Sequence, residues 1–434
     1  FDIAKNLAGE SHAGIMLNST IWDILEGKRI AAKNMRTGEI FYVDAQYMIV
    51  ATGAVPFMPA FGNDDLPGVY TAAVIQKMMN QEFTLLGRNI LTVGAGNIGY
   101  LTSYQLMQAG AKVKAIIEAM PYEGGFPVQA NRVRRLGIPV ILSHTLVRAI
   151  PNSTNDGICG AVIAESRNFT PVPGTEKIIE GIDAINICTG LIPDNQLLIK
   201  GREVFGTKVF AAGDAMRIGE GTTAVLRGKQ AAMEIIQEMG VRSNYNEYLS
   251  LSKEYIDSQQ HPTRIIENPW MPDEARMKAR PFVIIDCLYS FACNPCQFAC
   301  PHGAITKASP DTVPAIDYDK CTGCLACVYQ CPGLAIFGYN TAKNQLFLPV
   351  EYFVEEGSEV WLVDNDGKKV GEGVIEKVMM KPNRTNVARV RAITPAGTDI
   401  VSARGFIAKE NYPVPVTFTP AASMEGEKMT PWAR

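Results

Sequence analysis

The chain has 434 residues, a formal net charge of −3 and ten cysteines. This length allows two to four domains with cores of their own. The near-balanced charge gives no electrostatic reason to expect nucleic acid as a partner. No apolar run approaches the roughly 18–20 residues that a membrane span requires, and no secretory signal is visible.

Short strands and turns are predicted for the first part of the chain. Residues 14–19, 21–25 and 39–43 resemble strands, and a buried strand at 47–50 runs into Thr52 and Gly53. A glycine directly after a strand lets the backbone come close to a bound dinucleotide. This junction is a first, weak indication of a nucleotide cofactor.

A stronger nucleotide signal follows. The apolar strand at 89–93 leads into Gly94, Gly96 and Gly99, a helix is predicted over 100–109, and a strand at 112–117 ends at Glu118. This is the dinucleotide fingerprint in its required setting of strand, turn, helix and strand. Its glycines allow a tight turn, close approach of pyrophosphate and close packing of the helix, whose amino terminus attracts phosphate.

Glu118 indicates which dinucleotide the fingerprint favours. Its carboxylate can accept hydrogen bonds from both ribose hydroxyls and would repel a 2′-phosphate. No arginine follows in residues 119–121, so the sequence predicts NAD rather than NADP. A pocket that holds ATP, or no nucleotide, remains the alternative.

Two further strand ends carry candidate cofactor residues. Strands are predicted at 137–143, 157–166, 184–187 and 208–212. The third leads into Thr189 and Gly190, and the fourth into Gly213 and Asp214, followed by Thr222 and a helix over 223–239. An aspartate in this place can bind the ribityl chain of a flavin, and the helix amino terminus can face the pyrimidine edge of its ring. Cys188 lies in an apolar run and is interpreted as a core residue.

Most of the cysteines lie in one stretch. Its second half reads Cys321-x2-Cys324-x2-Cys327-x3-Cys331-Pro332, and a weaker copy, Cys287-x5-Cys293-x2-Cys296-x3-Cys300-Pro301, precedes it. The second run has the spacing of a bacterial two-cluster ferredoxin, in which the last cysteine of each run ligates the other cluster. The sequence therefore predicts one [4Fe–4S] cluster on Cys287, Cys293, Cys296 and Cys331, and another on Cys300, Cys321, Cys324 and Cys327.

The gap of five residues after Cys287 departs from the bacterial spacing. We interpret it as a three-residue loop insertion and keep Cys287 as a ligand because it directly follows a strand; a ligand from Ser290, or a three-iron cluster, remains open. A zinc site is disfavoured, because eight cysteines in two runs that end in Cys-Pro are not a zinc pattern. Disulfides are disfavoured because they are typical of secreted, disulfide-rich scaffolds. Oxygen-labile clusters favour a reducing cytoplasm as the location.

The remainder of the chain shows no evident chemistry. Residues 241–280 are interpreted as a connector, 281–342 as the ferredoxin domain and 410–434 as an extended arm. Residues 343–409 are interpreted as a small β barrel or sandwich, with strands predicted at 359–363, 370–378, 386–394 and 399–403.

The motifs of residues 1–240 together resemble a known family. ATG at 51–53, the GxGxxG at 94–99, CTGLIPD at 188–194 and VFAAGD at 209–214 stand in the order found in two-dinucleotide-domain flavoprotein reductases. Residues 61–69 and 109–121 are similar to the FAD-containing alpha subunits of heteromeric amine and amino-acid dehydrogenases, which oxidise proline, hydroxyproline, sarcosine, opines or glycine.

This resemblance implies an α/β two-dinucleotide-domain flavoprotein of Rossmann-like fold, followed by an α+β ferredoxin domain and a small all-β domain. Residues 1–86 and 151–240 would form an FAD-binding domain, and 87–150 an NAD-binding domain. The family's first GxGxxG does not occur in residues 1–47, so we expect that an upstream segment or another chain completes the FAD site. No CxxC or CxxxxC occurs in residues 1–240, so a redox disulfide is not expected there.

The resulting hypothesis is an oxidoreductase subunit for electron transfer. A flavin-containing partner subunit would oxidise an amine or amino acid, and electrons would pass through the two clusters to FAD and on to NAD. Two alternatives remain: an NAD(P)H-oxidising reductase resembling the small subunit of glutamate synthase, and a scaffold whose nucleotide pocket is structural. The sequence assigns no catalytic residue.

Overall fold

The computed structural model describes residues 13–241, 270–290, 293–309, 312–393 and 399–409, with a few isolated positions and the strand Phe418–Pro420. Most of the predicted connector and arm therefore lies outside the described residues. The chain divides into two compact units, residues 1–55 with 191–261 and residues 56–190 with 262–434. None of the described helices is long and apolar enough to cross a membrane.

The described part of the chain up to residue 241 contains both strands and helices. The strands are β1 (Ser19–Leu25), β2 (Arg29–Asn34), β3 (Ile40–Asp44), β4 (Met48–Val50), β5 (Ala54–Pro56), β6 (Val69–Thr71), β7 (Asn89–Val93), β8 (Lys112–Ile117), β9 (Val140–Ile141), β10 (His144–Pro151), β11 (Ile158–Arg167), β12 (Thr170–Pro171), β13 (Lys177–Glu180), β14 (Ala184–Ile187), β15 (Leu191–Pro193) and β16 (Val209–Ala211). The helices are α1 (Ala72–Asn80), α2 (Asn97–Gln108), α3 (Pro127–Arg134), α4 (Gln196–Phe205) and α5 (Gly221–Glu238).

The later part of the chain is mostly β structure. Its helices are α6 (Glu274–Ala279), α7 (Pro295–Ala299) and α8 (Ala326–Gln330). Its strands are β17 (Phe282–Ile285), β18 (Ile305–Thr306), β19 (Ala315–Ile316), β20 (Ile336–Asn340), β21 (Gln345–Val350), β22 (Glu359–Val363), β23 (Lys369–Met379), β24 (Asn386–Ala392), β25 (Gly405–Ala408) and β26 (Phe418–Pro420).

The first unit contains an antiparallel sheet of β1, β2 and β3, and a parallel ladder of β4 and β16. Its apolar core includes Ile24, Val50, Leu198 and Val209, all at most 8% exposed. Because β4 and β16 are parallel, the residues that follow both strands lie at the same edge of the ladder.

The second unit contains a five-stranded parallel sheet in the order β6-β14-β7-β8-β9. Its central strands are largely apolar, as expected for strands covered on both faces. Helices α1, α2 and α3 contribute to the core on one face, and the antiparallel strands β10, β11 and β13 contribute to the core on the other. The loops after β7 and β14, which are neighbours, share the carboxyl edge where open α/β sheets bind ligands.

The later strands of the second unit form one seven-stranded antiparallel sheet, β17-β20-β21-β24-β23-β22-β25. β17 and β20 flank the cysteine runs, so the ferredoxin strands and the predicted β module share a sheet and a core. The boundary predicted between 342 and 343 therefore falls within a continuous sheet. The unit division likewise groups residues 56–86 and 151–190 with the dinucleotide sheet rather than with the predicted FAD half.

Many of the predicted elements are confirmed, and three strand predictions were wrong. The strands at 89–93, 112–117, 184–187 and 359–363 occur with these bounds, and the helices predicted over 100–109 and 223–239 begin a few residues earlier. Residues 14–18 contain a turn at Asn18 (φ 55°) instead of a strand. Residues 137–143 contain only the short β9, and Asp399 accepts a hydrogen bond from Val401 N that supports a 3-10 turn where a strand was predicted.

Candidate dinucleotide site and cysteine module

The three glycines of the loop after β7 have distinct local environments. Gly94 has a φ of 109°, and a Cβ there would lie 2.4 Å from the Cys188 carbonyl oxygen. A Cβ at Gly99 would lie 1.9 Å from the Gly94 carbonyl oxygen, whereas one at Gly96 would meet no heavy atom within 4 Å. The first and third glycines are therefore needed for packing, and the second faces open space where a pyrophosphate could approach.

Glu118 lies beside this loop at the end of β8. Its Oε2 accepts a hydrogen bond from Ala95 N at 2.7 Å, and its Oε1 accepts one from Met120 N at 3.0 Å. Each carboxylate oxygen has a further lone pair, so the side chain can still accept from ribose hydroxyls. The carboxylate thus stabilises the loop itself, and its contact with a ribose stays a prediction.

The segment at 124–126 also lies against the loop, and sequence reasoning missed it. Gly124 N and Gly125 N both donate to the Ala95 carbonyl, and Phe126 N donates to Asn97 Oδ1 at 2.8 Å. The glycine pair shortly after Glu118 was the available signal. Because this segment leads directly into α3, the nucleotide loop is joined by hydrogen bonds to the start of that helix.

Both Thr-Gly junctions form hydrogen bonds with neighbouring backbone segments. In the second unit, Thr189 Oγ1 donates to the Phe57 carbonyl at 2.8 Å, and Phe57 N donates to the Gly190 carbonyl at 2.9 Å. In the first unit, Thr52 Oγ1 donates to the Asp194 carbonyl. The Gly53 carbonyl accepts from Asp194 N at 3.0 Å, so these junctions hold the chain in place where predicted cofactor residues stand.

The predicted flavin residues of the first unit gather at the carboxyl edge of the β4–β16 ladder. Ala212 N donates to the Val50 carbonyl at 2.9 Å, which places Thr52 and Gly53 beside Gly213 and Asp214. Asp214 is half-buried, and its Oδ1 accepts from Gly219 N at 3.0 Å. Thr222 is exposed in the first turn of α5. A carboxylate and a helix amino terminus at one edge fit the ribityl and pyrimidine part of a flavin.

The two cysteines of the reductase part have different surroundings. Cys159 is exposed and its Sγ donates to the Pro151 carbonyl at 3.2 Å, whereas the Cys188 Sγ lies 3.5 Å from Thr102 Oγ1. Burial raises the pKa of the Cys188 thiol to about 12, which opposes formation of the nucleophilic thiolate. This agrees with the interpretation of Cys188 as a core residue.

Six of the eight remaining cysteines influence Cys287 or Cys327 electrostatically. Besides burial, Cys331, Cys293 and Cys296 raise the pKa of Cys287, and Cys321, Cys324, Cys300 and also Cys296 raise that of Cys327. The assignment of the eight cysteines to two clusters stays a prediction. A small pocket is lined in part by four of the cysteines, Cys300, Cys321, Cys324 and Cys327. The choice of Cys287 over Ser290 as a ligand of the first group stays a prediction.

Each cysteine run ends in the same local structure. Ala304 N donates to Cys300 Sγ at 3.3 Å, and Ala335 N donates to Cys331 Sγ at 3.4 Å. Such bonds to sulfur stabilise thiolates and tune a bound cluster. Burial, followed by neighbouring thiolate charge, raises the pKa of Cys287 to about 12 and that of Cys296 to about 11. A bound cationic cluster would lower these pKa values and hold the cysteines as thiolates.

Within the described part of the chain, no three His, Cys, Asp or Glu side chains lie close enough to hold a single metal ion. Four ligands of a cubane each bind a different iron atom, so their sulfurs lie farther apart than those around one zinc ion. Four cysteines in each predicted group are the donor set that a cubane takes.

Helix α3 joins the dinucleotide sheet to the cysteine module. Tyr289, in the five-residue gap after Cys287, stacks on Phe126 with ring centroids 5.8 Å apart. Arg132 Nη2 binds Glu351 Oε2 at 2.6 Å, and its guanidinium lies 3.5 Å from the centroid of the Tyr104 ring. A Cβ at Gly333 would lie 2.6 Å from Val128. The inserted loop therefore supplies a packing residue of the second unit.

These features define the class of protein: an oxidoreductase with a flavoprotein-reductase fold and an iron–sulfur electron-transfer module. A family described as pyridine nucleotide-disulphide oxidoreductase matches residues 2–228. The chain belongs to this family. A 4Fe-4S dicluster domain matches residues 291–335.

Three relatives illustrate the combination. The NADH oxidase of Methanocaldococcus jannaschii is 25% identical over 264 residues, covering 52% of this chain and 55% of the relative. Sarcosine oxidase subunit alpha of Rhizobium meliloti is 24% identical over 223 residues, covering 49% and 21%. A selenate reductase subunit of Mesobacillus selenatarsenatis is 36% identical over 90 residues, covering 20% and 26%. The chain thus spans about half, or less, of the length of these relatives, two of which are named as subunits.

Proposed function

We propose that this chain is the electron-transfer subunit of a flavin-dependent amine or amino-acid dehydrogenase. The observation that carries the proposal is the union, in one chain, of a reductase fold with no CxxC or CxxxxC in residues 1–240 and a 4Fe-4S dicluster domain at residues 291–335. The similarity to a sarcosine oxidase subunit supports an amine as the substrate class. A partner subunit would oxidise that amine, since the described residues include no assigned catalytic group.

The chain's own residues would hold three kinds of group. Cys287, Cys293, Cys296 and Cys331 would bind one [4Fe–4S] cluster, and Cys300, Cys321, Cys324 and Cys327 the other. Asp214 and the amino terminus of α5 would orient a flavin completed by another segment, and Gly96 and Glu118 would receive NAD. When bound, a flavin exchanges two electrons or one, and each cluster carries one electron at a time. Such clusters would suit the reducing cytoplasm.

The test is an anaerobic preparation of the chain with its co-purifying subunits. Amino acids and NADH are titrated separately while flavin bleaching and iron content are measured. About eight iron atoms per chain and bleaching by an amino acid only when the partner is present would support the proposal. Oxidation of an amino acid by the isolated chain, or far less iron, would overturn it.

A second function is favoured by a specific observation. The similarity to an NADH oxidase and the carboxylate of Glu118 beside the glycine loop both suit an NADH-oxidising reductase that sends electrons outward. In the same titration, NADH alone would then bleach the flavin, and no amino acid would do so.

A further inference from the structure

A buried layer of charged side chains lies behind one end of the cysteine module. It comprises Arg132, Arg135, Asp286, Glu351 and Arg404 and is called the charged layer below. Arg132 and Arg135 are 9% and 7% exposed, and the side chains of Arg404 and Asp286 are 11% and 7% exposed. Asp286 directly precedes Cys287, so the layer borders the cysteine group that contains Cys287 and Cys331.

Three arginines in this layer face two carboxylates. Arg132 pairs with Glu351 at 2.6 Å, and Arg404 pairs with Asp286. Arg135 donates instead to the Leu334 carbonyl and to Asn365 Oδ1, both at 2.9 Å. Neither acceptor is charged, so the layer has one positive charge in excess.

Burial of that excess charge requires a compensating negative charge. Burial lowers the pKa of Arg135 to about 10, which still leaves its guanidinium protonated near pH 7. A buried cation without a nearby anion is costly. The group of Cys287, Cys293, Cys296 and Cys331 would supply the anion, because four thiolates outweigh the charge of an iron–sulfide core. Leu334, which accepts from Arg135, lies three residues after Cys331.

We propose that Arg135 raises the reduction potential of the cluster held by Cys287, Cys293, Cys296 and Cys331 above that of the other cluster. A nearby positive charge stabilises the reduced form because that form carries one more negative charge. The effect is strong at this site because Arg135 is buried and little screened by solvent. At equilibrium, an electron that enters the module would therefore reside mainly on this cluster.

The other cysteine group has a weaker counterpart. Arg276 donates to the Cys321 carbonyl at 2.7 Å, but it is only half-buried, so solvent screens its charge more. Lys307 donates to the Cys293 carbonyl at 2.6 Å and adds positive charge on the same side as Arg135. Both differences act in one direction, and the Arg135 variants below measure the contribution of Arg135 with Lys307 unchanged.

Arg135 is contributed by the segment after α3, which belongs to the dinucleotide-binding part of the chain. Its side chain packs against Gly405, where a Cβ would lie 3.0 Å from Arg135 Cβ, and its guanidinium carbon lies 5.1 Å from the centroid of the Phe337 ring. The ferredoxin motif alone therefore does not determine this potential.

The experiment is a redox titration of the purified, anaerobic complex followed by electron paramagnetic resonance. Cys324→Ser identifies the signal of the other cluster. We expect Arg135→Met to shift the reduction equilibrium of the Cys331 cluster at least tenfold toward the oxidised form, about 59 mV for one electron. Arg135→Lys keeps the charge and Asn365→Ser keeps the arginine, so both should retain most of the potential. Arg276→Met should affect the other cluster less.

Equal shifts of both clusters in Arg135→Met, or no shift, would overturn the proposal. If that variant loses iron, Glu351→Gln decides: it removes a negative charge and keeps Arg135, so the same cluster should become easier to reduce. An unchanged potential in Glu351→Gln would then count against the proposal. The inference rests on the two-cluster assignment, which iron analysis and the visible spectrum of the unchanged protein test separately.

Discussion

The ring of Tyr289 lies nearly parallel to that of Phe126, with an interplanar angle of 16° and a centroid distance of 5.8 Å. Phe126 precedes α3 and follows the glycine pair that binds the nucleotide loop, whereas Tyr289 lies two residues after Cys287. This aromatic contact thus lies between the segment that binds the loop at Gly94 and the first cysteine of the module. The insertion in the first cysteine run supplies one of its two rings.

Removing the contact between Tyr289 and Phe126 should lower the stability of the cysteine module without changing its ligands. We expect Tyr289→Ala to lower the free energy of unfolding by about 3 kcal/mol, the usual cost of deleting a buried aromatic ring. Amide hydrogen exchange in α3 should rise, because that helix loses a packing partner. Phe298→Ala is the matched control, since that ring is 79% exposed. Equal exchange in the two variants would contradict the packing role.

The ion pair of Arg132 and Glu351 should be strongly coupled. Their side chains are 9% and 19% exposed, so Arg132→Met leaves a mostly buried carboxylate without its cation and should cost about 3 kcal/mol. The double variant Arg132→Met, Glu351→Leu should recover much of this loss. The control is Glu274→Gln in the exposed Lys278–Glu274 pair, which should have no measurable effect. Additive losses in a denaturation cycle would disprove the coupling.

Substitutions at the glycines of the loop should affect folding at one position and nucleotide binding at another. Gly96→Ala meets no atom within 4 Å, so the melting temperature should be unchanged while NADH binds roughly tenfold or more weakly. Gly99→Ala would place its Cβ 1.9 Å from the Gly94 carbonyl oxygen and should destabilise the sheet. Calorimetry of melting and of NADH binding distinguishes the two. Unchanged binding in Gly96→Ala would argue for a structural pocket.

Glu118 should set the preference between the two nicotinamide dinucleotides. Glu118→Gln keeps an acceptor for Ala95 N but removes the charge that repels a 2′-phosphate. We expect the ratio of kcat/KM for NADH over NADPH to fall about tenfold, equivalent to about 1.4 kcal/mol. The exposed Glu82→Gln is the control. A ratio that stays the same in both variants would place the ribose elsewhere.

Most of the correct predictions rested on short-range patterns in the sequence. The strand before Gly94, the helix after it and the strand ending at Glu118 are specified by local hydrophobic periodicity and turn chemistry. The strands at 14–19 and 399–403 failed because a strand also needs a partner, and a local turn at Asn18 or around Asp399 competed successfully. The shared seven-stranded sheet was missed for the same reason, since strand pairing joins distant segments.

The reductase fingerprint and the two cysteine runs can be recognised from the sequence by itself, because both depend on residue types at fixed short spacing. Only the tertiary structure places Arg135 against Leu334, Arg132 against Glu351 and Tyr289 against Phe126. The two residues of each pair lie more than 160 residues apart in the chain. Their burial makes the interactions of these charges and rings stronger than at the surface, and burial cannot be read from a local sequence pattern.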